Sequence, residues 1–164
     1  MRHAISVLVE NKFGVLARIS TLFAARGFNI DSLSVGETDN PAVSRMTIVV
    51  RGDDSVLEQV EKQLNKLIDV IKVTDFKGVN YLERELVLIK VASSKNTRAE
   101  IIRLAGTFRG KVVDISDNSL IIEITGTEDK IEAFVKVMSD YGIKEICRTG
   151  VVAMARSKDM KITK

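Results

Sequence analysis

Residues 5–34 read ISVLVENKFGVLARISTLFAARGFNIDSLS, and this stretch decides the fold of the chain. Every second residue from Ile5 to Val9 is β-branched, which is the period-2 pattern of a strand with one buried face. From Val15 onward the apolar residues follow helical spacing, and Gly27 is a typical C-terminal stop. The stretch therefore predicts a strand, a tight turn, a helix of about three turns and the start of a second strand.

The turn Asn11-Lys12-Phe13-Gly14 is the part of this stretch in which chemistry is expected. A turn that leads into a helix leaves several backbone N–H groups unpaired at the positive end of the helix dipole, so it can receive a carboxylate or a phosphate. Gly14 lets the backbone approach a ligand closely, and the amides of Asn11 and Asn29 can bind ammonium or carboxylate groups. These features suit a free amino acid. Asn and Gly are also ordinary turn formers, so a purely structural turn stays open.

Composition limits the class of protein. The chain has 164 residues, of which 45% are hydrophobic and 29% charged, enough for one medium domain or two small ones. It has no apolar run of roughly 18–20 residues and no cleavable leader pattern, so we expect a cytoplasmic protein. The net charge of +3 is too mild for a nucleic-acid footprint, and the basic residues 156–164 are interpreted as a solvated terminus.

Two single residues could suggest chemistry of their own. Cys147 is the only cysteine, which excludes an intrachain disulfide and a cysteine metal site, and it is predicted to be a buried small hydrophobe in a strand. His3 is the only histidine and is interpreted as incidental.

The first half is predicted to have the order β-α-β-β-α-β. Asp53 or Asp54 is expected to cap the second helix, which runs to about Ile68 with Leu67 and Ile68 on its inner face. The predicted elements are a strand to residue 10, a helix at 15–26, strands at 30–37 and 44–50, the capped helix, and a strand at 70–76.

The second half repeats this order. Its predicted elements are a strand at 85–92, a helix at 97–109, strands at 111–116 and 119–125, a helix opened by Gly126-Thr127, and a last strand at 144–153. Two copies of one topology predict an α+β fold of two ferredoxin-like βαββαβ domains in tandem, at residues 1–77 and 84–164. The second copy has Ser93-Ser94-Lys95-Asn96 at its first turn, without a glycine, so we expect one ligand site per chain, in the first half.

Several segments carry a resemblance to a known family. They are SVLVEN (6–11), GVLAR (14–18), LF (22–23), RGFNIDSL (26–33), SRMT (44–47), EQ (58–59), EKQL (61–64), EREL (83–86), FRG (108–110) and RTGV (148–151). The first half resembles an ACT domain, the small module that binds amino acids. Over nearly its whole length the chain resembles the regulatory small subunits of acetolactate synthase, also called acetohydroxyacid synthase.

The resemblance implies a chain without an active site that binds the thiamine-diphosphate-dependent catalytic large subunit of branched-chain amino acid biosynthesis. It implies that the chain raises the activity of that subunit and makes it sensitive to feedback inhibition by valine. It also implies no cofactor in this chain, with thiamine diphosphate, magnesium and FAD in the catalytic partner. Ala17 stands where some members carry a serine, which leaves the effector affinity and the preference among branched-chain amino acids open.

By the same resemblance the effector site lies across an ACT homodimer, with the turn of one chain facing residues 29 and 30 of a second. The implied effector-binding residues are Asn11, Lys12, Phe13, Gly14, Val15, Leu16, Asn29 and Ile30. The residues themselves agree on one point, because the predicted strand at 30–37 would be an exposed edge that needs a partner. Side-by-side pairing would give a symmetric dimer with two equivalent sites.

Three other classes share some of these features. A stand-alone ACT-domain amino-acid sensor or transcription factor would need a DNA-reading helix, and no helix here has the basic face for that. An RNA-recognition module stacks bases on strand aromatics, which residues 44–50 and 119–125 lack. For an enzyme, no nucleophile motif or metal cluster appears, and Gly52-Asp53-Asp54 lacks the remainder of a thiamine-diphosphate motif.

Overall fold

The computed structural model describes residues 1–156. The chain divides into two compact units. The first comprises Met1–Leu82 together with residues 151–156, and the second comprises Glu83–Gly150. The second domain was predicted at residues 84–164, whereas in the structure the chain re-enters the first unit at Val151.

The first unit is a four-stranded antiparallel sheet with two helices. Its strand order is β2-β3-β1-β4, so β2 and β4 are the edges. The elements are β1 (Arg2–Glu10), α1 (Val15–Ala25), β2 (Ile30–Glu37), β3 (Val43–Arg51), α2 (Asp54–Leu64) and β4 (Val70–Asp75). The predicted β-α-β-β-α-β order is confirmed, and the bounds of β2 match the prediction residue for residue.

The main core of the first unit lies between the sheet and the helices. The alternate residues Ile5, Val7 and Val9 of β1 are fully or almost fully buried there, as their period predicted. From α1 the core receives Val15, Ile19 and Phe23, spaced at four residues on one helix face. Ser6, Leu8 and Glu10, which alternate with the buried residues of β1, do not belong to this core.

The second helix of this unit begins as predicted and ends early. The Asp53 carboxylate accepts hydrogen bonds from the Ser55 hydroxyl and from the N–H groups of Ser55 and Val56. The bond from the hydroxyl contributes most to lowering the pKa of Asp53, and the two N–H groups lower it further. The helix ends at Leu64, and the Asn65 side chain donates to the Glu61 carbonyl there.

Ile68 therefore lies outside the helix, and its prediction as an inner-face residue is wrong. Its side chain is 96% exposed. The N–H of Leu67 bonds to the carbonyl of Leu64, a tight turn that ends the helical spacing before residue 68. Leu67 does pack against the core as predicted.

The second unit has the same architecture, with strand order β6-β7-β5-β8. Its elements are β5 (Tyr81–Ala92), α3 (Arg98–Thr107), β6 (Lys111–Ile115), β7 (Ser119–Gly126), α4 (Glu128–Ser139) and β8 (Ile143–Arg148). Buried Val, Ile and Leu side chains from β5 and β7 pack against Ile101, Phe134 and Met138 of the helices. The prediction of two ferredoxin-like units in tandem is confirmed.

The last predicted strand is two strands, so the prediction of one strand at 144–153 is wrong. β8 ends at Arg148, and β9 (Val152–Ala155) follows after Gly150, whose φ of 78° turns the chain. Val151 and Ala153 join Ala4, Val49 and Phe76 in a second, smaller core of the first unit. Within the first unit the Arg156 N–H also donates to the Asn80 carbonyl.

Two further predictions concern Cys147 and the basic residues 156–164. Cys147 lies in a strand as predicted but is exposed, because it pairs with Leu88 on the face of the sheet away from the helices, where Leu88 is itself 39% exposed. The basic terminus at 156–164 lies outside the described residues except for Arg156. Within the described part of the chain, no helix has the length and apolar character needed to cross a membrane.

Candidate functional site

The turn between β1 and α1 leaves backbone donors unpaired. Gly14 is the N-cap of α1, with φ of 80° in the left-handed region, and no side chain caps the helix. The Val15 N–H reaches the Lys12 carbonyl only at 3.4 Å. Among the described residues, no acceptor contacts the N–H groups of Phe13, Gly14, Leu16 or Ala17. Four donors at the positive end of a helix form a cradle suited to a carboxylate.

Arg18 adds a positive charge to this cradle. A Cβ built on Gly14 would lie 3.0 Å from Arg18 Nη1, so the guanidinium lies directly over the glycine. Arg18 Nε donates to Asp69 Oδ2 at 2.7 Å, which fixes the side chain across the helix entrance. The first turn of α1 contains no acidic residue. The helix dipole and the guanidinium favour an anion at Gly14, and the Asp69 carboxylate offsets part of the Arg18 charge.

Lys12 and Asn11 border the cradle with their side chains already engaged. Lys12 Nζ bonds Glu10 Oε2 at 2.7 Å, and this hydrogen bond raises the pKa of Lys12. Asn11 Nδ2 donates to Glu37 Oε1 at 3.1 Å and to the Pro41 carbonyl at 2.9 Å. Both protons of the Asn11 amide are thus used, which leaves Oδ1 to accept a proton from a ligand ammonium group.

The apolar members of the predicted site differ in accessibility. Val15 is 2% exposed and belongs to the main core, so it positions the helix and offers no surface to a ligand. Phe13 is fully exposed and Leu16 is 43% exposed. On the neighbouring edge strand Val35 is 45% exposed. Leu16 and Val35 are therefore accessible to the apolar part of a ligand.

Asn29 and Ile30 lie at the other end of the sheet. Ile30 pairs with Val50 at one end of the β2–β3 ladder, and Glu37 pairs with Ser44 at the other. Asn11 bonds the Glu37 end. Seven residues of strand separate the two ends, a distance of roughly 23 Å. One chain therefore brings six of the eight predicted residues together and leaves Asn29 and Ile30 apart from them.

The local structure at Asn29 is a bulge. The β2–β3 register shifts between Ile30 and Ser32, so Asp31 is displaced from the ladder. The Asp31 carboxylate accepts from Asn29 Nδ2 at 3.0 Å and from Arg51 Nε. Asn29 Oδ1 has no partner among the described residues, so it can accept a hydrogen bond from outside.

The corresponding turn of the second unit is closed by its own side chains. Ser94 and Thr97 exchange hydrogen bonds, with the Ser94 N–H donating to Thr97 Oγ1 at 2.9 Å and the Thr97 N–H donating to Ser94 Oγ at 3.3 Å. Glu100 places a negative charge in the first turn of α3. An anion is disfavoured at this helix entrance, unlike at Gly14.

The sequence analysis did not include Arg18 and Asp69 in the site. Arg18 follows Gly14 by one helical turn, which is a signal that spacing alone could have supplied. Its partner Asp69 is 51 residues away, and only the folded sheet brings the two together. Elsewhere, His3 is buried with Nε2 at 3.2 Å from the Gly52 carbonyl, and the described residues contain no cluster suited to a metal ion.

Comparison with known proteins gives consistent matches over both halves. Residues 5–72 match the family described as an AHAS small subunit-like ACT domain, and residues 84–157 match the small subunit of acetolactate synthase. A probable acetolactate synthase small subunit of Archaeoglobus fulgidus is 58% identical over 95% of this chain and 98% of its own length.

A second relative and a solved structure agree with this match. An acetolactate synthase small subunit of Mycolicibacterium smegmatis is 56% identical over 94% of this chain and 91% of its own length. The crystal structure of the acetolactate synthase small subunit from Thermotoga maritima is 46% identical and has a TM-score of 0.85, covering 95% of this chain and 98% of that chain.

Proposed function

The chain belongs to the family of acetolactate synthase small subunits, and from that premise we propose that it activates the catalytic large subunit and makes it sensitive to valine. Membership of the family implies the large subunit as partner. Activation of the large subunit and its feedback inhibition by valine are the two regulatory effects that we propose. We place the complex in the cytoplasm, where an exposed thiol such as Cys147 stays reduced.

The observation that carries the proposal is the open helix entrance at Gly14. Unpaired N–H groups and Arg18 would bind the valine carboxylate, each charge-assisted contact contributing about 1.5–3 kcal/mol. The ammonium group would donate to Asn11 Oδ1 or to Asn29 Oδ1 of a second chain. Leu16 and Val35 would contact the isopropyl group. The site suits a small zwitterion with an apolar side chain.

A second chain is part of the proposal because the two halves of the site lie at opposite ends of β2. If β2 pairs antiparallel with its copy across a twofold axis between Leu33 and Ser34, the middle of the strand, residue 30 of one chain lies opposite residue 37 of the other. Asn11 is bonded to Glu37 and so would face residues 29 and 30 of the partner. The homodimer would contain two equivalent sites, each built from two chains.

The chemistry of the complex belongs to the catalytic partner. Thiamine diphosphate, magnesium and FAD are proposed to be bound there, with no cofactor in the regulatory chain. Effector occupancy need change the large subunit by only about 1–3 kcal/mol to give useful inhibition. Assays of the large subunit mixed with this chain, with and without valine, measure that coupling free energy.

The test is a titration of valine into the purified chain by calorimetry, alone and with the large subunit, together with acetolactate synthase assays. We expect binding to the chain alone, higher activity of the large subunit when the chain is added, and a fall in activity when valine follows. Failure of valine to bind in either setting would contradict the proposed effector. An unchanged activity on adding the chain would contradict activation.

A further inference from the structure

The segment that follows the second unit packs onto the first unit with alternating sides. Val151 and Ala153 are each 5% exposed, whereas Val152 is 51% exposed and Met154 is 63% exposed. The buried pair contacts Ala4, Val49 and Phe76, in a cluster separate from the core between sheet and helices. Residues 151–155 therefore bury every second side chain against the first unit.

Two backbone N–H groups of this segment donate hydrogen bonds to side-chain hydroxyls on two strands. The Val151 N–H donates to Ser32 Oγ on β2 at 2.9 Å, across 119 residues of sequence. The Ala153 N–H donates to Thr47 Oγ1 on β3 at 3.3 Å in a buried position. Loss of either acceptor would leave a donor without a partner, and a buried donor is costly to leave unpaired.

We propose that residues 151–155 are an intramolecular strap that holds the edge strand β2, so that the geometry of β2 depends on the chain beyond the second unit. β2 has one strand neighbour, β3, and the ladder between them is bulged at Asp31, next to Ser32. The strap supplies β2 with a second attachment beside the point where the ladder is weakest. Chain continuity from β8 through Gly150 joins that attachment to the second unit.

The strap would act on ligand binding through two neighbouring residues, a step that rests on the proposed function. Ser32 lies two residues after Ile30 and three after Asn29, on the same strand. Release of the strap would loosen this end of β2 and weaken the half of the effector site that the strand provides. The Gly14 turn, at the other end, would keep its donors.

The first experiment is hydrogen exchange by mass spectrometry on the full chain, with a matched pair of variants. Ala153→Asp puts a charge on the buried side of the strap, and Met154→Asp puts the same charge on the exposed side of the same strand. We expect Ala153→Asp to speed exchange at 151–155 and 30–34 by about tenfold or more, and Met154→Asp to change it little. Equal effects of the two variants would overturn the proposal, as would fast exchange at 151–155 in the unmodified chain.

A milder variant covers the case in which Ala153→Asp does not fold. Thr47→Val keeps the shape of the side chain and removes the acceptor for the Ala153 N–H. Thr125→Val is the control on an exposed threonine of the second unit. Faster exchange at 151–155 in Thr47→Val alone supports the strap, and unchanged exchange there overturns it.

Valine calorimetry on the same variants separates the strap from the proposed function. If valine binds the unmodified chain, Ala153→Asp or Thr47→Val should weaken binding severalfold relative to its control. Unchanged affinity would refute the link from strap to ligand. If valine does not bind the unmodified chain, the proposed effector fails, while the exchange result still decides whether the strap exists.

Discussion

At the scale of single residues, Gly14 determines the chemistry of the helix entrance. Its left-handed φ of 80° aims the unpaired N–H groups outward, and the missing Cβ leaves room beneath the Arg18 guanidinium. Arg18 in turn is fixed by Asp69. Gly14 and Arg18 thus form the anion cradle, and Asp69 positions the guanidinium.

Gly14→Asp is expected to abolish valine binding and to spare activation of the large subunit. The new carboxylate would lie within reach of Arg18 and occupy the place of the ligand's own carboxylate. We expect the affinity for valine to fall by about 100-fold or more, since one or two charge-assisted hydrogen bonds are lost. Calorimetry on the purified chain measures this directly.

Gly78→Asp is the matched control for backbone strain. Gly78 has φ of 68°, and a Cβ built there meets no atom within 4 Å. The two substitutions place the same side chain in similar left-handed conformations, so only the one in the cradle should affect valine. Normal valine binding by Gly14→Asp would contradict the proposed site.

Asn29→His is expected to weaken valine binding from the other half of the site. The larger ring would replace the amide that holds the Asp31 bulge and offers Oδ1 to a ligand. Asn96→His, in the turn of the second unit, is the control at an exposed asparagine. Calorimetry gives the affinity, and light scattering gives the oligomeric state. If the variant also loses the dimer, Asn29 is structural and the claim for it as a ligand contact fails.

At the scale of elements, β2 is the strand on which the proposed dimer depends. It is an edge strand with an accessible Val35, and an unpaired edge of this kind favours association with another chain. Val35→Lys should lower dimer stability at least about tenfold and leave the fold of the unit intact, because a charged edge resists pairing. Sedimentation equilibrium measures the dimer constant.

The other edge strand supplies the control for that change. Ile71 lies on β4 and is 54% exposed, close to the exposure of Val35. Ile71→Lys should leave the dimer constant unchanged if pairing is through β2. Equal weakening by both substitutions would show that the chains join elsewhere.

Two ion pairs that share Arg148 join three elements of the second unit. Arg148 on β8 donates Nε and Nη2 to the two oxygens of Glu85 on β5, and Nη1 to Glu132 on α4. The hydrogen bonds to Glu85 contribute most to raising the pKa of Arg148, so the guanidinium stays charged. Glu85 is 5% exposed and would be left as a buried, unpaired carboxylate without it.

Arg148→Ala should therefore lower the free energy of unfolding by about 2–3 kcal/mol, less than a fully buried pair would lose because Arg148 is partly exposed. Chemical denaturation of the full chain measures the change. Lys62→Ala removes the partner of Glu58 in an exposed pair of one helix and should have no measurable effect. Equal stabilities of the two variants would contradict the role given to Glu85.

Periodicity in the sequence predicted some helices and strands correctly and failed at particular residues. Periodicity predicted β1, α1 and β2 because each buries one face against a single core, and that requirement is local. It failed at Ile68 because the chain turns tightly after Leu64, and at Cys147 because the pattern does not tell which face of that strand the helices cover. Val151 and Ala153 alternate like any strand, so the sequence could not indicate which sheet they cover.

At the scale of the whole molecule, residue types supplied the candidate residues, whereas their arrangement across two chains was implied only by the family resemblance. The sequence identified the Gly14 turn and Asn29 as candidates from their residue types. Only the strand register shows that they lie at opposite ends of β2, roughly 23 Å apart. A site that uses both must therefore combine two chains.

This arrangement predicts complementation between two variants that do not bind valine. In a heterodimer of Gly14→Asp and Asn29→His chains, one site would contain both substitutions and the other would contain neither. Random exchange of equal amounts makes half of the dimers mixed, which restores about a quarter of the wild-type number of sites. Calorimetry after unfolding and refolding the mixture should find that fraction of sites, with the affinity of the unmodified chain.

The control is a mixture of Gly14→Asp with Arg18→Glu, which alters the same end of the site. It should restore no valine binding, because no pairing of those chains yields an intact turn. If neither mixture restores binding although mixed dimers form, the Gly14 turn and Asn29 do not meet across the dimer, and the proposed interface has to be abandoned.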